Sequence, residues 1–174
     1  MKNLFSVLIL SISFLTMQQA LAQEMNTNIN IIPNPKSIVI NEGTFRISSI
    51  TKLFYKKEAK QIAEYLNQIV NPSTGFDLTL NEWDGSVNEN SIILSLSNKA
   101  NDFGKEAYTL VVNKTNVLIE ASELNGLFYG VQTLRQLLPV EIESKTKVDN
   151  VEWKIPCVVV LDEPEFIWRG LNLD

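Results

Sequence analysis

Few side chains in this sequence are equipped for chemistry. None of the 174 residues is histidine, which excludes Ser-His-Asp and Cys-His catalysis within the chain and argues against a zinc site. The single cysteine, Cys157, lies in the apolar run 155–161. It reads as a small buried hydrophobe, and no disulfide can form within the chain. One pair of adjacent acids, Asp162-Glu163, has the residue types of a general acid beside an ionised carboxylate. It follows an apolar strand and precedes Pro164, a connector setting, so it reads as solvated charge. Trp83 and Trp153 have faces on which a sugar ring could stack, but packing in the core or on the surface is the plainer reading. Asn113-Lys114-Thr115 has the form of a glycosylation acceptor, although a bacterial-looking leader speaks against its use. These residues call for no metal and no cofactor.

The elements that would position any site are organised around residues 107–138. Tyr108, Leu110 and Val112 alternate with Thr109, Val111 and Asn113, the period of a strand. A short polar turn at 113–116 and a second strand at 117–121 complete a hairpin. Leu124, Leu127, Phe128, Val131, Leu134 and Leu138 then recur three and four apart, placing six large apolar side chains on one face of a helix over 123–138. Ser122 stands where it can cap that helix, and Pro139 cannot continue it. Gly126 and Gly130, four apart, are read as allowing close helix–sheet contact.

Upstream, Ile31-Ile32-Pro33-Asn34-Pro35 is an extended lead-in, because two prolines forbid helix. Residues 37–40 and 44–47 read as two short strands around the turn Asn41-Glu42-Gly43, and 50–55 as another. Ala59, Ile62, Ala63 and Leu66 give 56–70 the period of an amphipathic helix that Asn71-Pro72 ends. Strands are expected at 76–80, 91–97 and 152–161. The fold class expected is α+β: a largely antiparallel sheet with two helices packed on one face. Each buried Leu, Ile or Phe contributes roughly 1.5–3 kcal/mol, enough for a self-sufficient core.

Residues 1–22 stand apart. Lys2, the apolar run 4–16 and Ala20-Leu21-Ala22 have the form of a secretory signal peptide cleaved before Gln23, too short in its apolar part to span a membrane. No cysteine follows it to carry a lipid. Without it the chain holds 14 basic and 20 acidic residues, a net charge of −6, and no basic stripe, which disfavours nucleic-acid binding. A secreted or periplasmic location is expected, with no membrane span after cleavage.

Three stretches together carry a family resemblance. Gly126-Leu127-Phe128-Tyr129-Gly130-Val131-Gln132-Thr133-Leu134-Arg135-Gln136-Leu137-Leu138-Pro139, preceded by Glu106-Ala107-Tyr108-Thr109-Leu110, resembles the N-terminal domain of glycoside hydrolase family 20, the β-N-acetylhexosaminidases. Ile32-Pro33-Asn34-Pro35 is similar to that family's opening. Pro164, Phe166 and Trp168-Arg169-Gly170-Leu171 resemble the junction into the first strand of its catalytic (β/α)8 barrel. The resemblance implies a non-catalytic domain over 23–161, followed at 162–174 by a connector and a truncated first barrel strand.

It also implies removal of terminal N-acetylglucosamine or N-acetylgalactosamine from glycans with retention at the anomeric carbon. In this family the substrate's acetamido oxygen attacks, an Asp orients it, and a neighbouring Glu protonates the departing oxygen. That Asp-Glu pair belongs to the fourth barrel strand, so no catalytic residue is expected here and the chain alone is expected to be inactive. Arg169 matches the arginine whose fork of donors grips two sugar hydroxyls; an ion pair with Asp174 or Glu165 is the other reading. The partners implied are N-acetylhexosamine-containing glycans and the remaining catalytic barrel, in cis or as a separate chain. The alternative is a non-catalytic carbohydrate-binding or scaffold module.

Overall fold

A computed structural model describes residues 29–86, 89–97 and 104–166. The expected leader at 1–22 and the junction residues Trp168, Arg169 and Asp174 lie outside the described residues. In chain order the elements are β1 (Ser37–Arg46), β2 (Lys52–Tyr55), α1 (Lys60–Thr74), β3 (Thr79–Glu82), β4 (Ser91–Leu96), β5 (Tyr108–Val112), β6 (Asn116–Ala121), α2 (Leu124–Leu137) and β7 (Lys154–Asp162). Single 3-10 turns precede α1 and follow α2.

The seven strands form one sheet in the order β1-β7-β5-β6-β4-β2-β3. The expectation of a largely antiparallel sheet needs correction. The pairs β1–β7, β7–β5 and β5–β6 are antiparallel, whereas β6–β4, β4–β2 and β2–β3 are parallel. The reason is connectivity. Parallel neighbours need a crossover of a dozen or more residues, and α1 supplies one between β2 and β3. The second helix, α2, carries the chain from β6 past β5 to β7.

Both helices lie on one face, as expected. Ile62, Ala63, Leu66 and Val70 of α1 join Leu127, Val131 and Leu134 of α2 in a single core with Leu53, Ile92, Leu94, Leu110 and Ile119 from the sheet. The stripe read for α2 was too wide: Leu124 and Phe128 are 42% and 39% exposed. Phe128 instead meets Tyr65 of α1 at a ring separation of 5.5 Å, on the outer side of the helix pair.

Three local expectations are also revised. β1 is one strand and not two around a turn, because both halves pair with the same partner. Ser37–Ile40 run against Val158–Leu161, and Thr44–Arg46 against Lys154–Pro156. Three residues between Ile40 and Thr44 oppose only Cys157, so the predicted turn is a bulge, and Gly43 takes its left-handed φ of 108°. Pro72 does not end α1. The helix runs on to Thr74 and closes at Gly75 in the left-handed conformation, whose N–H reaches the Asn71 carbonyl at 2.8 Å. Ser122 does not cap α2: Glu123 is the flanking residue, no side chain caps there, and its carboxylate lies 3.8 Å from Lys105.

The Gly126/Gly130 reading holds. A Cβ on Gly126 would run into the Ala107 carbonyl oxygen and stand 2.8 Å from the Ala121 Cβ. On Gly130 it would collide with Cγ2 of Ile119 and stand 3.2 Å from the Tyr108 ring. Alanine is better than glycine inside a helix by ~1 kcal/mol. Gly126→Ala should nonetheless lower stability by about 1–3 kcal/mol, since the blocking atom is backbone. Urea unfolding of the purified chain checks this, and a stabilised variant would contradict the packing.

Candidate functional site

The end of β7 is where acidic side chains, a buried phenol and the lead-in come together. Tyr108 begins β5 and turns inward beneath α2, where it is 3% exposed. Its hydroxyl lies 2.5 Å from Thr133 Oγ1 and donates to Asp162 Oδ2 at 3.2 Å. A phenol has one proton, so Thr133 is the donor in the first of these bonds. Burial pushes the Tyr108 phenol well above its usual range, and the Asp162 charge adds to this. It therefore stays a donor at any physiological pH.

Asp162 and Glu163 are not the solvated pair that their connector setting suggested. The other Asp162 oxygen accepts the Lys36 N–H at 3.1 Å. Glu163 pairs with the Lys36 ammonium and accepts the Gly104 N–H at 3.0 Å. The Lys36 contact first, and the Gly104 N–H second, hold the Glu163 carboxyl below the usual carboxylate range. A glycosidic general acid needs the opposite shift. The pair ties the end of β7 to the lead-in, to β5 and, through Tyr108, to α2.

The lead-in is fixed on its other side by α2. Gln136 accepts the Ile32 N–H at 2.8 Å and donates to the Ile32 carbonyl at 3.1 Å, next to the cis Ile32–Pro33 bond. One step up the helix, Gln132 donates to the Tyr65 hydroxyl at 3.0 Å. Between lead-in, helix and connector lies an open cleft of about 860 Å³, with Ile32, Tyr129, Gln132, Gln136 and Phe166 among its walls. Ile32 and Phe166 stand 79% and 66% exposed at its rim. Both of its glutamines are engaged with protein groups.

The remaining candidates read from the sequence separate cleanly. Cys157 is buried and burial raises its thiol pKa, as expected of an inert cysteine. Trp153 is 4% exposed. Trp83 has the Lys56 ammonium 5.0 Å above its ring, and its indole N–H donates to the Ser86 carbonyl at 2.8 Å. Arg169, the one expected sugar contact, lies outside the described residues. Among the described residues no group of three or more Asp, Glu, Cys or His is placed to hold a metal. The residues the sequence reading missed are Lys36, Tyr108, Thr133 and Gln136 as a connected set. Only the inward register of Tyr108 hinted at it.

Two outcomes follow from this geometry. Tyr108→Phe leaves Thr133 without its acceptor and should cost about 1–2 kcal/mol in chemical denaturation; an unchanged midpoint would show that the phenol is not a tie. The Glu163 carboxyl is lowered from an ordinary 4.5. Its stabilisation is therefore complete above that pH and lost as pH falls through the lower folded value. Glu143, held down by Arg135, and Glu152, held down by Lys154, act in the same direction. Unfolding free energy should fall on acidification below about pH 4.5, and Glu163→Gln should flatten part of that slope.

Comparison with known proteins gives this arrangement its context. Residues 28–163 match the family model for glycosyl hydrolase family 20, domain 2. The chain is 34% identical over 158 residues to a beta-hexosaminidase of Porphyromonas gingivalis, covering 90% of this chain and 20% of that protein. The GH20 beta-N-acetylhexosaminidase from Streptomyces coelicolor superposes with a TM-score of 0.72 at 31% identity, over 80% of this chain and 27% of that one. The Streptomyces plicatus N-acetyl-beta-hexosaminidase gives 0.72 at 32% over the same shares. The chain thus spans a fifth of the first relative and about a quarter of the two solved chains. With the 32–35 and 106–139 motifs and the helix-over-sheet fold lying within the family match, the chain belongs to glycosyl hydrolase family 20, and residues 28–163 are that family's domain 2.

Proposed function

We propose that this chain supplies the non-catalytic supporting domain of a β-N-acetylhexosaminidase that removes terminal N-acetylhexosamine residues from glycans. The observation that carries the reading is the family match, confined to domain 2. The geometry supports it in a specific way. The one Asp-Glu pair is committed to holding the connector, and Glu163 has its pKa shifted the wrong way for a glycosidic acid. The chemistry then belongs to a catalytic barrel, in cis or as a separate chain, that begins after the connector. There the substrate's acetamido oxygen would be the nucleophile and the barrel's own Asp-Glu pair its helpers. Arg169 would grip hydroxyls of the terminal sugar with its fork of donors. Residues 1–22 would direct export to the periplasm or beyond and be removed before Gln23.

The test compares two purified proteins on an aryl N-acetyl-β-glucosaminide. One is the 174-residue chain; the other is the same chain joined to the reading frame downstream of the Asp174 codon. The first should show no turnover above buffer and the second should hydrolyse the glycoside. Robust hydrolysis by the 174-residue chain would overturn the assignment of chemistry to the barrel. Amino-terminal sequencing of exported material should begin at Gln23, and retention of Met1 would remove the export reading.

A further inference from the structure

Glycine directly follows an aspartate or an asparagine at two places in the chain, Asp84-Gly85 and Asn125-Gly126. Either side chain can close a five-membered ring with the next backbone nitrogen. Glycine leaves that nitrogen unshielded and gives its backbone the freedom to turn toward the ring. By sequence alone Asn125 is the more reactive, because a neutral amide carbon is a better electrophile than that of an ionised carboxylate.

The structure reverses that order. Asn125 stands in the first turn of α2, and Gly126 beside it is buried. The Ala107 carbonyl and the Ala121 side chain lie close against Gly126, so its nitrogen has no room to swing toward the Asn125 side chain. Asp84 is placed differently. It lies between β3 and β4, where Asp84, Gly85 and Ser86 are all exposed. A Cβ on Gly85 would meet nothing within 4 Å, and Gly85 holds a left-handed φ of 98°. The Ser86 N–H donates to Asp84 Oδ1 at 2.8 Å. That bond folds the carboxyl forward along the chain, toward the Gly85 nitrogen that it passes. The Trp83 indole, with the Lys56 ammonium 5.0 Å over its ring, holds the same turn by donating to the Ser86 carbonyl at 2.8 Å.

We propose that Asp84–Gly85 is a site of spontaneous isoaspartate formation, and that the folded chain confines the reaction to it. The Gly85 nitrogen attacks Cγ of the protonated Asp84 side chain. A C–N bond forms, a C–O bond breaks, and the carboxyl hydroxyl leaves as water with the amide proton. Water then opens the succinimide. Addition at Cγ restores aspartate; addition at the former main-chain carbonyl leaves the chain running through Cβ and Cγ, with the α-carboxylate free. Mass and net charge are unchanged, and water is the only co-reactant. The product is an isoaspartyl carboxylate, the group that L-isoaspartyl methyltransferases esterify with the methyl group of S-adenosylmethionine. It lies in a turn longer by one backbone atom, without the bond from Ser86 that shaped it. None of this depends on the glycosidase reading.

The test ages the purified full chain for several weeks at mildly acidic pH, above the range where its stability falls, beside the same chain in urea. Methyltransferase labelling with S-adenosylmethionine counts isoaspartate, and fragmentation of the proteolytic peptides places it. In the native chain the label should accumulate at residue 84, while Asn125 keeps its amide. In urea, with α2 lost, Asn125 should deamidate as well. Asp84→Glu keeps the charge but sets the carboxyl carbon one bond too far for the five-membered ring, so the label should be lost. Asp84→Asn should convert several times faster than the native aspartate. Absence of label from residue 84 in the native chain would overturn the proposal, whatever happens in urea. Native conversion at Asn125 ahead of residue 84 would overturn it too, as would label that survives Asp84→Glu.

Discussion

Everything in this domain depends on how closely α2 can approach the β5–β6 hairpin. Gly126 and Gly130 leave no room for side chains above Ala107, Ala121, Ile119 and Tyr108. At that distance Leu127, Val131 and Leu134 reach fully into the sheet, each with no exposed surface. A helix held farther out would bury less apolar area at roughly 25 cal/mol per Å² and leave gaps that neither water nor side chains fill. The two glycines thus exchange helix propensity for close packing.

The same approach fixes the polar end of the fold. Thr133 lies on α2, Tyr108 on the hairpin and Asp162 at the end of β7, and the bonds among them form only when all three elements are seated. Lys36 and Gln136 extend the connection to the lead-in, so the chain enters and leaves the domain at one place. Asp162 and Glu163 thereby hold the end of β7 against the lead-in and the segment before β5. The exposed Ile32 and Phe166 border the same cleft.

Much of this was legible in the sequence, and the failures have physical causes. The hairpin and α2 were clear because their periods of two and near four are long and switch sharply at residue 122. The parallel half of the sheet is harder to read, although its signal is present. Strand, helix and strand at 50–80 form a crossover unit, and short strands without a continuous apolar run hid it. The β1 bulge reads as a turn in the sequence, since Asn41-Glu42-Gly43 has turn chemistry and only the partner strand reveals that the chain does not reverse. Pro72 reads as a terminator because it cannot donate to the Gln68 carbonyl, but the helix forgoes that one bond and closes three residues later at the left-handed Gly75. The polar ties at 36, 108, 133 and 162 span more than a hundred residues of sequence, and no local pattern encodes them.

The central claim is that α2 and the hairpin beneath it form one cooperative unit and not a helix resting on a preformed sheet. Native-state hydrogen exchange measures this directly. In a single unit the slowest amides of β5, β6 and α2 exchange at a common rate, with the free energy of global unfolding, and that is the result expected. Amides of α2 that exchange well before those of β5 and β6, with the sheet still protected, would contradict it.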